Sequence, residues 1–105
     1  MSNADIRRLD KEIRRTTKKL EAVQRGEWWP LTSRERLDMT RAMAGGARNI
    51  HRGRSTTGAE DRMDSIGSAA ERRLNAELTA LHGERQRLIT EAARAKAAKK
   101  SSGWW

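Results

Sequence analysis

The chain is 105 residues long, has no cysteine, and sets 23 Lys+Arg against 14 Asp+Glu for a formal charge of +9. That length holds one small domain at most, and the missing cysteines exclude a disulfide framework, a thiolate metal site and a catalytic thiol. The charge makes an anionic partner the first expectation: nucleic acid, then an acidic membrane surface or an acidic protein.

Ile, Leu, Val and Phe together number only 14, so any core is thin. Helical periodicity nevertheless runs through most of the chain, which argues against disorder throughout. No run approaches the roughly 18 apolar residues of a membrane span. The opening MSNADIRRLD lacks the apolar stretch of a secretory signal, so the expected compartment is the cytoplasm.

Residues 4 to 25 give the clearest signal. Ile6, Leu9, Ile13, Thr16, Leu20 and Val23 recur at alternating steps of three and four, the a/d seam of a coiled coil. Ser2 or Asn3 can cap its start, Asp5 suits the positive end of the dipole, and Gly26 and Pro30 stop it. With Ile6 at position a, Asp5, Asp10 and Glu12 fall beside the seam. Arg7, Arg8, Lys11, Arg14, Arg15, Lys18 and Arg25 fall at b, c and f, pointing away from it, and only Glu21 interrupts them. The basic stripe extends about 27 Å at 1.5 Å per residue. Arg7–Lys11, Lys11–Arg15, Arg14–Lys18 and Arg15–Lys19 are like-charge i,i+4 pairs, each costing about 0.2–0.5 kcal/mol in an isolated helix. Helix stability therefore does not explain the stripe. A phosphate backbone does, because spaced cations along a rod release counterions on binding it. The competing reading is that carboxylates elsewhere in the fold, or in a second copy, quench the stripe.

Trp28-Trp29, just before Pro30 and Leu31, are expected to pack over a corner between helices, with base stacking as the lesser alternative. A short second helix is predicted over about 33–44. Thr32 and Glu35 have capping-box spacing, and Gly45-Gly46 should end it. Residues 45–57 then read as a flexible Arg/Gly loop, in which Arg48, Arg52 and Arg54 suit contact with phosphates or a minor groove. It is not a nucleotide-binding P-loop. Arg48 stands where that motif needs a glycine, Arg54 where it needs a lysine, and no apolar strand precedes it.

The third helical region is predicted over about 58–98, with the stripe Met63, Ile66, Ala70, Leu74, Leu78, Leu81, Leu88, Ala92 and Ala95 and with Arg85 as a polar break. Thr57 and Glu60 have capping-box spacing, and Gly67 marks a possible kink or restart. Glu77, Glu84 and Glu91 line one flank. An antiparallel first helix would bring them to Asp5, Glu12 and Lys19, mostly like charges, which keeps homodimeric pairing open. Residues 100–105 read as a flexible tail, whose Trp104 and Trp105 are candidates for contact with a partner.

The expected fold is all-α: an elongated helical hairpin or small coiled-coil bundle spanning 1–99, with two long helices, one short helix and the Arg/Gly loop. His51 and His82 make no metal site, and Glu60, Asp61 and Asp64 suit a helix start better than a carboxylate pair at work. No enzyme, cofactor or metal is expected. The functional expectation is a small basic protein that binds nucleic acid, DNA ahead of RNA, by backbone contacts from Arg7, Arg8, Lys11, Arg14, Arg15, Lys18, Arg48, Arg52 and Arg54, in an accessory role in DNA transactions. The alternative is a coiled-coil interaction module, an adaptor, assembly factor or inhibitor of phage or mobile-element type, docking on an acidic protein. A membrane partner is disfavoured.

Overall fold

The computed structural model describes residues 3–102, and within them the chain forms three α-helices: α1 (Asn3–Gln24), α2 (Ser33–His51) and α3 (Thr57–Ser102). The fold is all-helical and elongated, 85 × 19 × 18 Å. α3 is unbroken over 46 residues, about 69 Å of rod. α1 and α2 each pack on α3 and not on one another. Asp10 pairs with Arg85, Glu35 with Arg73, and Gly46 lies against Ala59, so numbers fall along α3 as they rise along α1 and α2. Both short helices are therefore antiparallel to α3, α1 on its C-terminal half and α2 on its N-terminal half. The molecule is a hairpin with one continuous arm and one arm broken once, at residues 25–32.

The seam follows the sequence pattern. Leu9 and Thr16 of α1 are buried, with Ile6, Ile13, Leu20 and Val23 half-buried beside them. On α3, Ala70 and Leu74 are sealed from solvent, and Met63, Ile66, Leu78, Leu81 and Leu88 are half-buried. The densest node is the break itself, where Leu31, Met39 and Ala70 meet Val23, Trp28, Met63 and Ile66. Ala92 and Ala95, expected on the apolar stripe, are exposed together with everything from 91 to 100. Counting back from the Asp10–Arg85 pair, α1 starts at Asn3 about level with Ala92, so Ala92 lies at its very end and Ala95 beyond it.

The polar break at Arg85 has a partner: its Nε donates to Asp10 Oδ1 across 2.6 Å. That pair holds the register against an unfavourable neighbour, since Glu12, Glu77 and Glu84 share one shallow groove, as an antiparallel α1 requires. The apolar seam and the Asp10–Arg85 pair outweigh the repulsion, which solvent screens at the groove's open side.

Gly26 and Gly53 set the helix ends. Both have positive φ, 82° and 71°, and each ends its helix with the same pair of hydrogen bonds. Gly26 N–H donates to Val23 O and Glu27 N–H to Ala22 O; Gly53 N–H donates to Ile50 O and Arg54 N–H to Asn49 O. These are Schellman caps, which need a left-handed residue after the helix. At the start of α2, Glu35 N–H donates to Thr32 Oγ1 and Thr32 N–H to Glu35 Oε1, the reciprocal capping box.

Three boundaries differ from expectation: α3 runs on to Ser102, so residues 100–102 of the expected flexible tail are helical, and the other two lie at the end of α2 and the start of α3. Gly45-Gly46 do not end α2, which continues to His51, so the loop over 45–57 contracts to residues 52–56. The reason is packing: a Cβ at Gly46 would lie only 3.1 Å from the Ala59 Cβ, so the glycine lets α2 approach α3 closely. That contact offsets the cost of about 1 kcal/mol per glycine in a helix. Arg48 is accordingly helical. The cap of α3 sits one residue earlier than expected, with the Thr56 carbonyl accepting from Glu60 N–H and its hydroxyl meeting the Glu60 carboxylate. Gly67 does not restart the helix, which runs unbroken through it.

Two measurements check this packing. Leu74 has no exposed surface, so Leu74→Ala should cost about 2–5 kcal/mol in chemical denaturation. Glu35 provides the second. Its burial raises its pKa, but the Thr32 backbone hydrogen bond and the Arg73 guanidinium outweigh burial and hold it below 4.5. A depressed carboxyl contributes stability above its unfolded pKa and loses it as pH falls through the folded value. Glu35→Gln should therefore lower stability by about 1 kcal/mol at neutral pH, and the gap to the native chain should close below pH 4.5.

Candidate nucleic-acid interface

Packing α1 through Leu9 and Thr16 fixes where its other residues point. Arg7, Arg8, Lys11, Arg14, Arg15 and Lys18 are all exposed. Among the described residues none of the six takes part in an ion pair or side-chain hydrogen bond; the interhelical pairs use Asp10 and Glu35 instead. Glu77 and Glu84 of α3 lie on the seam side of α1 with Glu12, away from the stripe. Arg25 differs: its Nε donates to Glu27 Oε2 at 2.7 Å, so the last cation of the outer face is compensated locally.

The stripe is not flat. Lys11, Arg14, Arg15 and Lys18 form a groove of about 370 Å³ whose remaining wall is Trp29. The chain break holds that indole in place. Trp29 O accepts from Arg36 Nη2 at 2.8 Å, and Trp29 Nε1 donates to Glu27 Oε1 at 3.1 Å. The hydrogen bond from Arg25 is the main reason the Glu27 carboxyl is held below its ordinary pKa; it outweighs desolvation, with the Arg25 charge and the indole N–H adding smaller contributions in the same direction as the bond. Glu27 thus stays ionised as the acceptor that orients the ring. Pro30 and Leu31, next in the chain, are buried and anchor the segment.

The two tryptophans of the doublet have separate places. Trp28 packs on the Leu31–Met39–Ala70 node, as expected of a corner residue. Trp29 does not: it is 52% exposed and borders the cations. Adjacent side chains leave the backbone in different directions, so a doublet at a corner cannot send both rings into one thin core; that signal was available in the sequence.

The structure does not bring the loop arginines to the stripe. Arg48, Arg52 and Arg54 are exposed at the hairpin tip, about 40 Å along α3 from the level of Asp10 and Arg85. There Arg48 also lies in the last turn of α2, where a cation complements the helix dipole. Trp104 and Trp105 lie outside the described residues. Among the described residues no cluster of His, Asp and Glu is placed to hold a metal ion, and no helix is long and apolar enough to cross a membrane.

Comparison with known proteins yields no match: no family model, no curated protein and no solved structure corresponds to this chain. The different settings of the two indoles give the protein a spectroscopic signature. A variant retaining Trp29 as its one indole should emit at the long wavelengths of a solvated ring and be readily quenched by acrylamide. One retaining only Trp28 should emit further to the blue and resist quenching.

Proposed function

We propose that this chain is a small non-catalytic protein that binds nucleic acid through the phosphate backbone, DNA ahead of RNA, using the outer face of α1 as its principal surface. The observation that supports this most directly is the exposed, unpaired row of Arg7, Arg8, Lys11, Arg14, Arg15 and Lys18 on a rigid helix. Six cations on one side of a rod meet a regular polyanion without rearranging, and the counterions released on contact supply the affinity. Such contacts position the partner without reading bases, which suits an accessory role in DNA transactions. Arg48, Arg52 and Arg54 at the tip form a second, smaller basic surface that a long duplex reaches in the same complex. The cytoplasm is the compartment this function calls for.

A second reading draws on a separate observation. Leu37, Met43 and Ile50 of α2 are 48%, 52% and 67% exposed, and three large apolar side chains on one short helix suit a protein-interaction module with an acidic protein as its partner.

Salt separates the two. Duplex DNA affinity should fall about a thousandfold between about 50 and 200 mM salt, and reversing Arg7, Arg8, Arg14 and Arg15 to Glu should abolish binding while leaving the helical circular dichroism signal intact. Absence of duplex binding by the native chain at low salt would favour the protein-interaction module.

A further inference from the structure

The groove beside Trp29 has a feature that backbone binding does not require. A duplex offers phosphates on its outside and keeps the faces of its bases stacked within, so an indole among phosphate-binding cations has nothing to stack on there. We infer that the Lys11–Arg14–Arg15–Lys18–Trp29 groove takes an unpaired nucleobase, stacked on Trp29, with the flanking phosphates of the same strand held by the four cations. This deepens the nucleic-acid reading of α1 and rests on it.

Four observations converge on the site. The groove is about 370 Å³, within the range of clefts that hold small ligands, about 300–1,000 Å³. Its polar wall is entirely cationic, and its one aromatic wall is 52% exposed. The ring is oriented in advance: its N–H donates to Glu27, itself bound by Arg25, while the backbone carbonyl of Trp29 accepts from Arg36 and fixes the main chain beneath it. An edge-on hydrogen bond does not occupy the π-face, the surface on which a base stacks. Finally, Lys11 to Lys18 spans seven residues of helix, about 10 Å, which matches a run of phosphates better than one. A positive groove that follows a backbone, with an aromatic platform for the bases, is how single strands are held without sequence preference. Bases become available to such a platform in single strands, at frayed ends, or where a nucleotide leaves the stack.

The competing explanation is that Trp29 only covers the aliphatic stems of neighbouring Lys and Arg side chains. The two differ in whether the base matters. The full chain is titrated at constant salt with four labelled ligands of equal length: oligothymidylate, oligouridylate, an abasic deoxyribose-phosphate strand and a DNA duplex. The expected result is that at least one of the base-bearing strands binds on the order of tenfold more tightly than the abasic strand. Whichever does so identifies a DNA or an RNA source. Trp29→Ala should reduce that strand to the abasic level while keeping the native helical circular dichroism, and Trp29→Phe, which keeps an aromatic face, should retain most of the gain. Equal affinity of the native chain for base-bearing and abasic strands overturns the inference, as does a base-dependent gain that survives in Trp29→Ala. In both cases duplex binding still stands and with it the proposed function. If no ligand binds the native chain at low salt, both fall. The circular dichroism of Trp29→Ala reports that the variant is folded.

Discussion

A chain with 14 Ile, Leu, Val and Phe residues in 105 has enough apolar surface for one narrow seam, and the rest of the structure follows from how that seam is used. Neither α1 nor α2 can bury a second face, so they cannot pack on each other as well as on α3. They line up end to end along it instead, and a rod results in place of a globule. The single-seam solution leaves most of each helix surface in water. What those surfaces carry is therefore set by the polar residues, and on α1 those are sorted by sign: acids toward the seam, bases away from it.

The break between α1 and α2 does two jobs with one short segment. A continuous helix over residues 3–51 would carry its apolar stripe in one unvarying sweep along α3. The Schellman cap at Gly26 and the buried Pro30-Leu31 reset that stripe, so that Met39, Ala42 and Gly46 of α2 face α3. The same segment supplies the largest core node, through Trp28 and Leu31, and turns Trp29 outward against the basic stripe. Arg25, Glu27 and Arg36 tie the outward ring to the frame, so the aromatic wall of the groove is as fixed as the corner that produces it. The positions that hold the fold and those that form the site are neighbours in the chain.

Much of this was legible beforehand because it is local. The seam of α1, its sorting of charge, the Thr32–Glu35 capping box and the stop at Gly26 all depend on spacing within one helix or its ends. What was not legible depends on contact between segments. Gly45-Gly46 look like a terminus until Ala59 is opposite Gly46, where the missing side chain admits a close crossing. Ala92 and Ala95 look like core until it is known that α1 starts too late to cover them. Arg85 looks like a flaw in a stripe until Asp10 arrives, and its pairing lets α3 align with α1 despite Glu12, Glu77 and Glu84. The groove was hidden for the same reason. Lys11 and Trp29 are 18 positions apart in sequence, and only the fold of the corner makes them walls of one site.

The like-charge pairs along α1 acquire a further meaning in this setting. Four i,i+4 repulsions at about 0.2–0.5 kcal/mol each weigh more on a thin-cored rod than on a protein with stability to spare, and Glu12 against Glu77 and Glu84 adds to them. Among the described residues no ion pair relieves Arg7, Arg8, Lys11, Arg14, Arg15 or Lys18. A polyanion bound as proposed would relieve them. It screens the repulsion and adds its own attraction, and both gains are larger for cations held in line on a helix than for the same cations scattered along an unfolded chain. Binding and folding are then linked in the ordinary thermodynamic sense, the ligand stabilising the state it prefers. On the proposed function, a stripe that opposes helix formation in isolation would become a source of stability in complex, and the residues that weaken the free rod would strengthen the bound one.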